Sequence, residues 1–182
     1  MSNGIYLHGT PIQMWMLSAI WTAAFLVLLL VTLIDIRHSI IPDEANVVLI
    51  VIGFVLAYVE GPTLLTSHRS FMGAYGFLFG ATGLYGIGGV LLNRLIGVVV
   101  AGGLFGALVA LTRGRGMGMG DVKLIAALGV LFGWPDVLVL SAFAFIVGAL
   151  VSIVLMVVRG LTRKSAVPLG PFIAVGAASI FL

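Results

Sequence analysis

Long uncharged runs separated by short polar loops set the pattern of this chain. Residues 12–34 carry no charge, and at about 1.5 Å per helical residue such a run crosses the about 30 Å hydrocarbon core of a bilayer. Residues 35–44 form a polar loop broken by Pro42, with Asp43 placed to cap the next helix. A second apolar run, 45–59, extends through Glu44 and Glu60, and a loop with Gly61-Pro62 and His68-Arg69 follows. Residues 71–92 are apolar too, but glycines stand at 73, 76, 80, 83, 86, 88 and 89. Each interior glycine costs a helix about 1 kcal/mol relative to alanine. Residues 95–112 read as a clearer span, in which Gly102-Gly103 and Gly106 suit close helix packing. The run 124–132 is short and stops at Gly133-Trp134-Pro135-Asp136. Residues 137–158 span again, Arg159, Arg163 and Lys164 make a basic loop, and a last short segment, 166–182, begins around Pro168 and Pro171.

Composition makes this pattern a membrane pattern. Of 182 residues, 62% are hydrophobic and 8% are charged, with a mean hydropathy of +1.28. A soluble domain of this length cannot hide so much apolar surface. Every spanning backbone group must be bonded internally, which leaves helices or a closed barrel. The ten-residue alternation of a barrel does not appear. The expectation is an all-α polytopic membrane protein, one transmembrane domain over 1–182, with about six spanning helices. Cysteine is absent, which excludes a disulfide framework and a thiolate metal site. No metal or cofactor is expected, and the net charge of +3 is a topology signal rather than a nucleic-acid footprint. Residues 1–11 lack the positive start of a cleavable signal, so the first run is expected to stay in the membrane.

Positive charge then orients the chain. Arg37, the group Arg113, Arg115 and Lys123, and the group Arg159, Arg163 and Lys164 mark three loops as cytoplasmic. Residues 60–70 and the Trp134 loop fall outside, with Arg69 and Arg94 as the outer positives. Between residues 70 and 113 the chain must cross an odd number of times. The Gly-rich segment 71–92 is therefore expected to lie in the outer interface or to re-enter.

With that topology, Asp35 ends the first span and Asp121 begins the fourth, at one cytoplasmic level. Hydrocarbon cannot solvate a carboxylate, so an acid there needs a pairing or functional reason. Two carboxyls within a few ångströms share one proton. One then takes a proton from an attacking water while the other polarises a peptide carbonyl and protonates the leaving amine. The plainer reading stays open: an acid at a helix end is also a cap or an interfacial residue. Lys123 either anchors its helix end or tunes Asp121 and touches substrate backbone. Asp43, Glu44, Glu60 and Asp136 read as caps and loop solvation, and His8, His38 and His68 as interfacial polar residues. Gly118 and Gly120, directly before Asp121, let backbone approach backbone or substrate.

Gly118-Met119-Gly120-Asp121-Val122-Lys123-Leu124 resembles the Gly-x-Gly-Asp signature, with its following Lys, of the type IV prepilin peptidases. Asp35-Ile-Arg-His-Ser-Ile-Ile-Pro-Asp43 resembles the first catalytic loop of that family, and Pro168-Leu-Gly-Pro-Phe172 resembles the Pro-x-Gly-Pro stretch entering its last helix. The resemblance implies a metal-independent intramembrane aspartyl protease with Asp35 and Asp121 as its catalytic pair, supported by Pro42, Gly118, Gly120 and Lys123. Its substrates would be prepilins or pseudopilins, cut after a short basic leader at the cytoplasmic face of the prokaryotic inner membrane. Asp43 and Glu44 would attract that leader, while a groove between spans takes the apolar helix behind it. Many bacterial members carry a Cys-x-x-Cys domain associated with N-methylation. With no Cys, and 34 residues before Asp35, this chain is expected to be a peptidase-only member. The alternative from another class is a cation- or proton-coupled transporter using Asp35 and Asp121 as an ion site. Partners beyond substrate and lipid, and the oligomeric state, are not legible.

Overall fold

The computed structural model describes residues 11–60, 87–114, 117–159 and 168–180, and these are helical apart from short turns. Six helices follow in order: α1 (Pro11–His38), α2 (Asp43–Glu60), α3 (Ile87–Thr112), α4 (Met119–Phe132), α5 (Asp136–Arg159) and α6 (Gly170–Ser179). Three are long and apolar enough to cross a membrane, over Met14–His38, Gly89–Thr112 and Asp136–Val158. The expectation of six spanning segments is met only in part. Helix α2 carries acids at both ends, α4 has 14 residues and α6 has 10. At about 1.5 Å per residue neither of the last two reaches across the hydrocarbon alone.

Helix α4 is short because it is the core. From Leu124 to Phe132 all its residues except Ala126 are buried, so protein rather than lipid surrounds it. Glycines bring its neighbours close. A Cβ on Gly129 would lie 2.8 Å from backbone atoms of Gly97 and Val98 on α3, and one on Gly53 would lie 2.9 Å from Val130. Backbones at that distance gain dispersion and leave no room for a methyl group. The pairs run antiparallel for α3 and α4 (Gly97 to Gly129, Gly102 to Ala126) and parallel for α2 and α4 (Asp43 to Lys123, Gly53 to Val130). Gly176 packs on the Leu140 carbonyl and Gly148 on the Phe172 ring, so α5 and α6 are antiparallel. Trp21 of α1 meets Phe132 at the far end of α4, ring centroids 5.3 Å apart.

Two expectations change at the end of the bundle distant from Asp35. Helix α3 begins at Ile87, not near residue 95. The C-terminal part of the Gly-rich segment is therefore helix, while residues 71–86 lie outside the described residues. Arg94, expected as an outer loop positive, is buried inside α3, where it packs beside the Gly133 turn. That turn is anchored by Asn93. Its Nδ2 donates to the Trp134 carbonyl at 2.7 Å, and its Oδ1 accepts the Trp134 N–H at 2.9 Å. A single carboxamide thus pairs with both hydrogen-bonding groups of one backbone residue.

Candidate active site

Four of the six acids, Asp35, Asp43, Glu44 and Asp121, lie at the end of the bundle opposite the Trp134 turn. Asp35 lies in the last turn of α1 and is 5% exposed. Past it the chain turns at Ser39, whose φ of 53° is left-handed and whose N–H donates to the Asp35 carbonyl at 2.8 Å. That single bond closes the helix in the αL manner, with serine where glycine is favoured. The Asp35 carboxylate reaches α6. Its Oδ2 accepts the Gly170 N–H at 2.8 Å. Gly170 opens α6, so its N–H has no partner within that helix, and the next residue, Pro171, has no N–H to offer. Phe172 and Ile173 both donate to the Leu169 carbonyl. Gly170 is required by space, since a Cβ there would lie 2.7 Å from Asp35 Oδ2.

Asp121 stands in the first turn of α4. Its Oδ2 accepts the N–H of the N-cap residue Gly118 at 3.1 Å, which is the acidic half of a capping box. Each acid is thus held at a helix N-terminus, Asp121 at its own and Asp35 at that of α6, where unpaired N–H groups and the macrodipole meet negative charge. Both acids therefore lie at the same end of the bundle, Asp121 at the start of α4 and Asp35 where α1 meets the start of α6. Ahead of Asp121, Arg113 (φ 52°) ends α3. The bonds Gly114 N–H to Val109 O at 2.9 Å and Arg113 N–H to Ala110 O at 3.2 Å form a Schellman closure.

The remaining expected site residues fall at the same end. Gly120 faces Ile41, where a Cβ would come within 3.3 Å of the Ile41 side chain. The Ile41-Pro42 turn before α2 therefore rests on the start of α4. Gly118 differs: a Cβ there would lie 3.5 Å from Asp121 Oδ2, an ordinary contact. Lys123 Nζ is bonded to both carboxylate oxygens of Asp43, at 2.8 and 2.7 Å. This exposed pair ties α2 to α4, so the lysine charge is directed at Asp43. Glu44 is exposed beside it. Among the described residues no three His, Cys, Asp or Glu side chains gather as a metal-ligand group.

Two features escaped sequence reasoning. The Gly170 N–H becomes a partner of Asp35 only through the packing of α6 on α1, across 135 residues of sequence. The one available signal was a glycine between prolines at a helix start. The second is the buried Asn46 and the half-buried Thr32, whose covered Nδ2, Oδ1 and Oγ1 atoms have no hydrogen-bond partner.

Comparison with known proteins agrees with the motif order. The sequence model of the type IV leader peptidase family matches residues 22–153. A protein of Aeromonas salmonicida named prepilin leader peptidase/N-methyltransferase is 35% identical over 101 residues, covering 55% of this chain and 35% of the relative. Proteins of the same name from Xanthomonas campestris (28% identity, 81% of this chain, 44% of the relative) and Pseudomonas aeruginosa (26%, 88% and 50%) align over longer stretches. The chain thus spans no more than about half the length of these relatives. No solved structure matches. The glycine–aspartate motif at the start of α4, the Asp35 loop and a matching region that runs from α1 into α5 carry one conclusion: this chain belongs to the type IV leader peptidase family.

Proposed function

We propose that this chain is a membrane-embedded aspartic endopeptidase that removes the short basic leader from prepilin-like proteins, with Asp35 and Asp121 as its catalytic pair. The observation that carries the reading is geometric. Two acids from distant parts of the chain stand at one end of the bundle, each with one carboxylate oxygen held by a backbone N–H. Each backbone bond restrains one oxygen, and we assign the other oxygen of each acid to the water or the substrate carbonyl. Sharing one proton, the pair supplies both catalytic roles: the ionised carboxylate takes a proton from the attacking water, and the protonated carboxyl polarises the scissile carbonyl and then protonates the amine.

Substrate chemistry and location follow from the relatives' names and from charge placement. A prepilin-like substrate joins a basic leader to an apolar helix. Glu44 stands exposed at the start of α2 with Asp43, and we assign these acids to the leader, although Asp43 already binds Lys123. Arg37, Arg113 and Lys123 share the end that holds the two aspartates, which makes that end the cytoplasmic one by the positive-inside rule. The proposal concerns the peptidase activity alone.

The test is cleavage of a purified prepilin by the full chain in lipid. Asp35→Asn and Asp121→Asn each keep side-chain shape, and each should lower the rate by about 10²–10⁴-fold, the usual contribution of positioned acid–base groups, while melting cooperatively like the parent. Cleavage at near-parent rates by either variant would refute the pair. A chain that never cleaves but gains thermal stability with a particular cation would favour the transporter reading instead.

A further inference from the structure

Asn46 lies one turn into α2, three residues past Asp43, on the stripe that also carries the buried residues Leu49, Gly53 and Leu56. Residues three apart on a helix share a face, and that separation is about 4.5 Å along the axis. Asp43 is bonded to Lys123, and Gly53 packs on Val130. The Asn46 stripe therefore faces α4 between those two levels, about one turn deeper than Asp121. At 5% exposure Asn46 is as covered as Asp35. Neither its Oδ1 nor its Nδ2 has a hydrogen-bond partner. Thr32, one turn deeper than Asp35 on α1, adds a third such atom, Oγ1, on the neighbouring helix.

Burying a carboxamide with both ends unpaired costs a few kcal/mol, and apolar side chains fill the rest of this stripe without that cost. A residue of this kind needs a partner that the folded chain does not supply. Cleaving a peptide within or beside an apolar helix creates one, because the unit to be cut must leave its helical bonds and present a free N–H and C=O. A carboxamide is complementary to that pair, donating through Nδ2 and accepting through Oδ1. The chain already makes this pairing once, where Asn93 holds both the N–H and the C=O of Trp134.

We propose that Asn46 is a substrate-binding residue, whose carboxamide pairs with the backbone N–H and C=O of the unwound substrate segment next to the scissile bond. This rests on the peptidase reading of the same site. The two separate experimentally, because Asp35→Asn tests the chemistry and Asn46 variants test the grip on the backbone.

The decisive variant is Asn46→Leu, which keeps the branched four-atom outline of the side chain and removes both buried polar ends. With the full chain in lipid, Asn46→Leu should melt at or above the parent temperature while kcat/KM for a prepilin falls about 10- to 100-fold, the worth of two hydrogen bonds. In the Asp121→Asn background, Asn46→Leu should weaken binding of the uncut prepilin by a similar factor. A substrate carrying a backbone ester in place of the amide adjoining the cleavage site should lose about tenfold against the parent and little against Asn46→Leu, a coupling a purely structural residue would not show. Asn46→Leu that cleaves like the parent, or that loses activity only as far as it loses stability, overturns the proposal. An ester penalty that is the same in both proteins does so too. A parent chain that cuts no prepilin removes the peptidase reading and this inference with it.

Discussion

At the scale of single residues, the site separates glycines that space requires from glycines that it does not. A Cβ on Gly170 would enter the Asp35 carboxylate, whereas one on Gly118 would make ordinary contact with Asp121. Gly170→Ala should therefore lower prepilin cleavage by tenfold or more, since a misplaced acid costs about that much or greater. Gly118→Ala should stay within a few-fold of the parent, as parallel kinetics on the two variants will show. The sequence pointed the other way. Gly118 belongs to the motif that draws the eye to Asp121, while Gly170 becomes part of the site only when α6 packs against α1. The same holds for Lys123. Two residues from Asp121 in sequence, it reads as a tuning charge, yet its helical direction delivers it to Asp43, because residues i and i+2 face apart on a helix.

At the scale of elements, α4 shows what hydropathy alone misreads. An apolar run of this length reads as a short span, but a helix buried on all sides by protein is apolar for the same reason as one facing lipid. Its neighbours show the difference through their glycines. Gly129 meets α3 backbone, while Gly103 and Gly106 face open space. Gly129→Ala should destabilise the protein by about 1–3 kcal/mol through overpacking. Gly103→Ala and Gly106→Ala should leave it unchanged or improve it by up to about 1 kcal/mol of helix propensity. Thermal melts in one detergent will rank the three. Glycines at 88 and 89 read as breakers, yet α3 starts at Ile87. Helix propensity in a membrane yields to packing, and two turns further on the Asn93–Trp134 pairing ties α3 to the turn before α5.

At the scale of the whole molecule, one end of the bundle carries Asp35 and Asp121 with Arg37, Arg113 and Lys123, and the other carries the Trp134 turn. The absence of cysteine makes this polarity directly measurable. His38 and Ile12 are both exposed, at opposite ends of α1. A membrane-impermeant maleimide should label Ile12→Cys in intact cells and His38→Cys only after the membrane is opened. The reverse pattern would turn the active end outward and contradict cleavage at the cytoplasmic face.

The sequence alone determined the solvent and the helical class, and it singled out Asp35 and Asp121 as candidates. Uncharged runs of helical length have one stable solution in a bilayer, and acids beside them are too costly to be incidental. Only the tertiary structure decided who touches those acids. The Gly170 N–H comes to Asp35 from α6, and the Ile41 side chain comes to Gly120, beside Asp121, from the turn before α2. Such contacts depend on helix rotation and register, which are set by backbone-to-backbone packing of Gly53, Gly97 and Gly129. A one-dimensional pattern of polar and apolar residues carries no record of those angles.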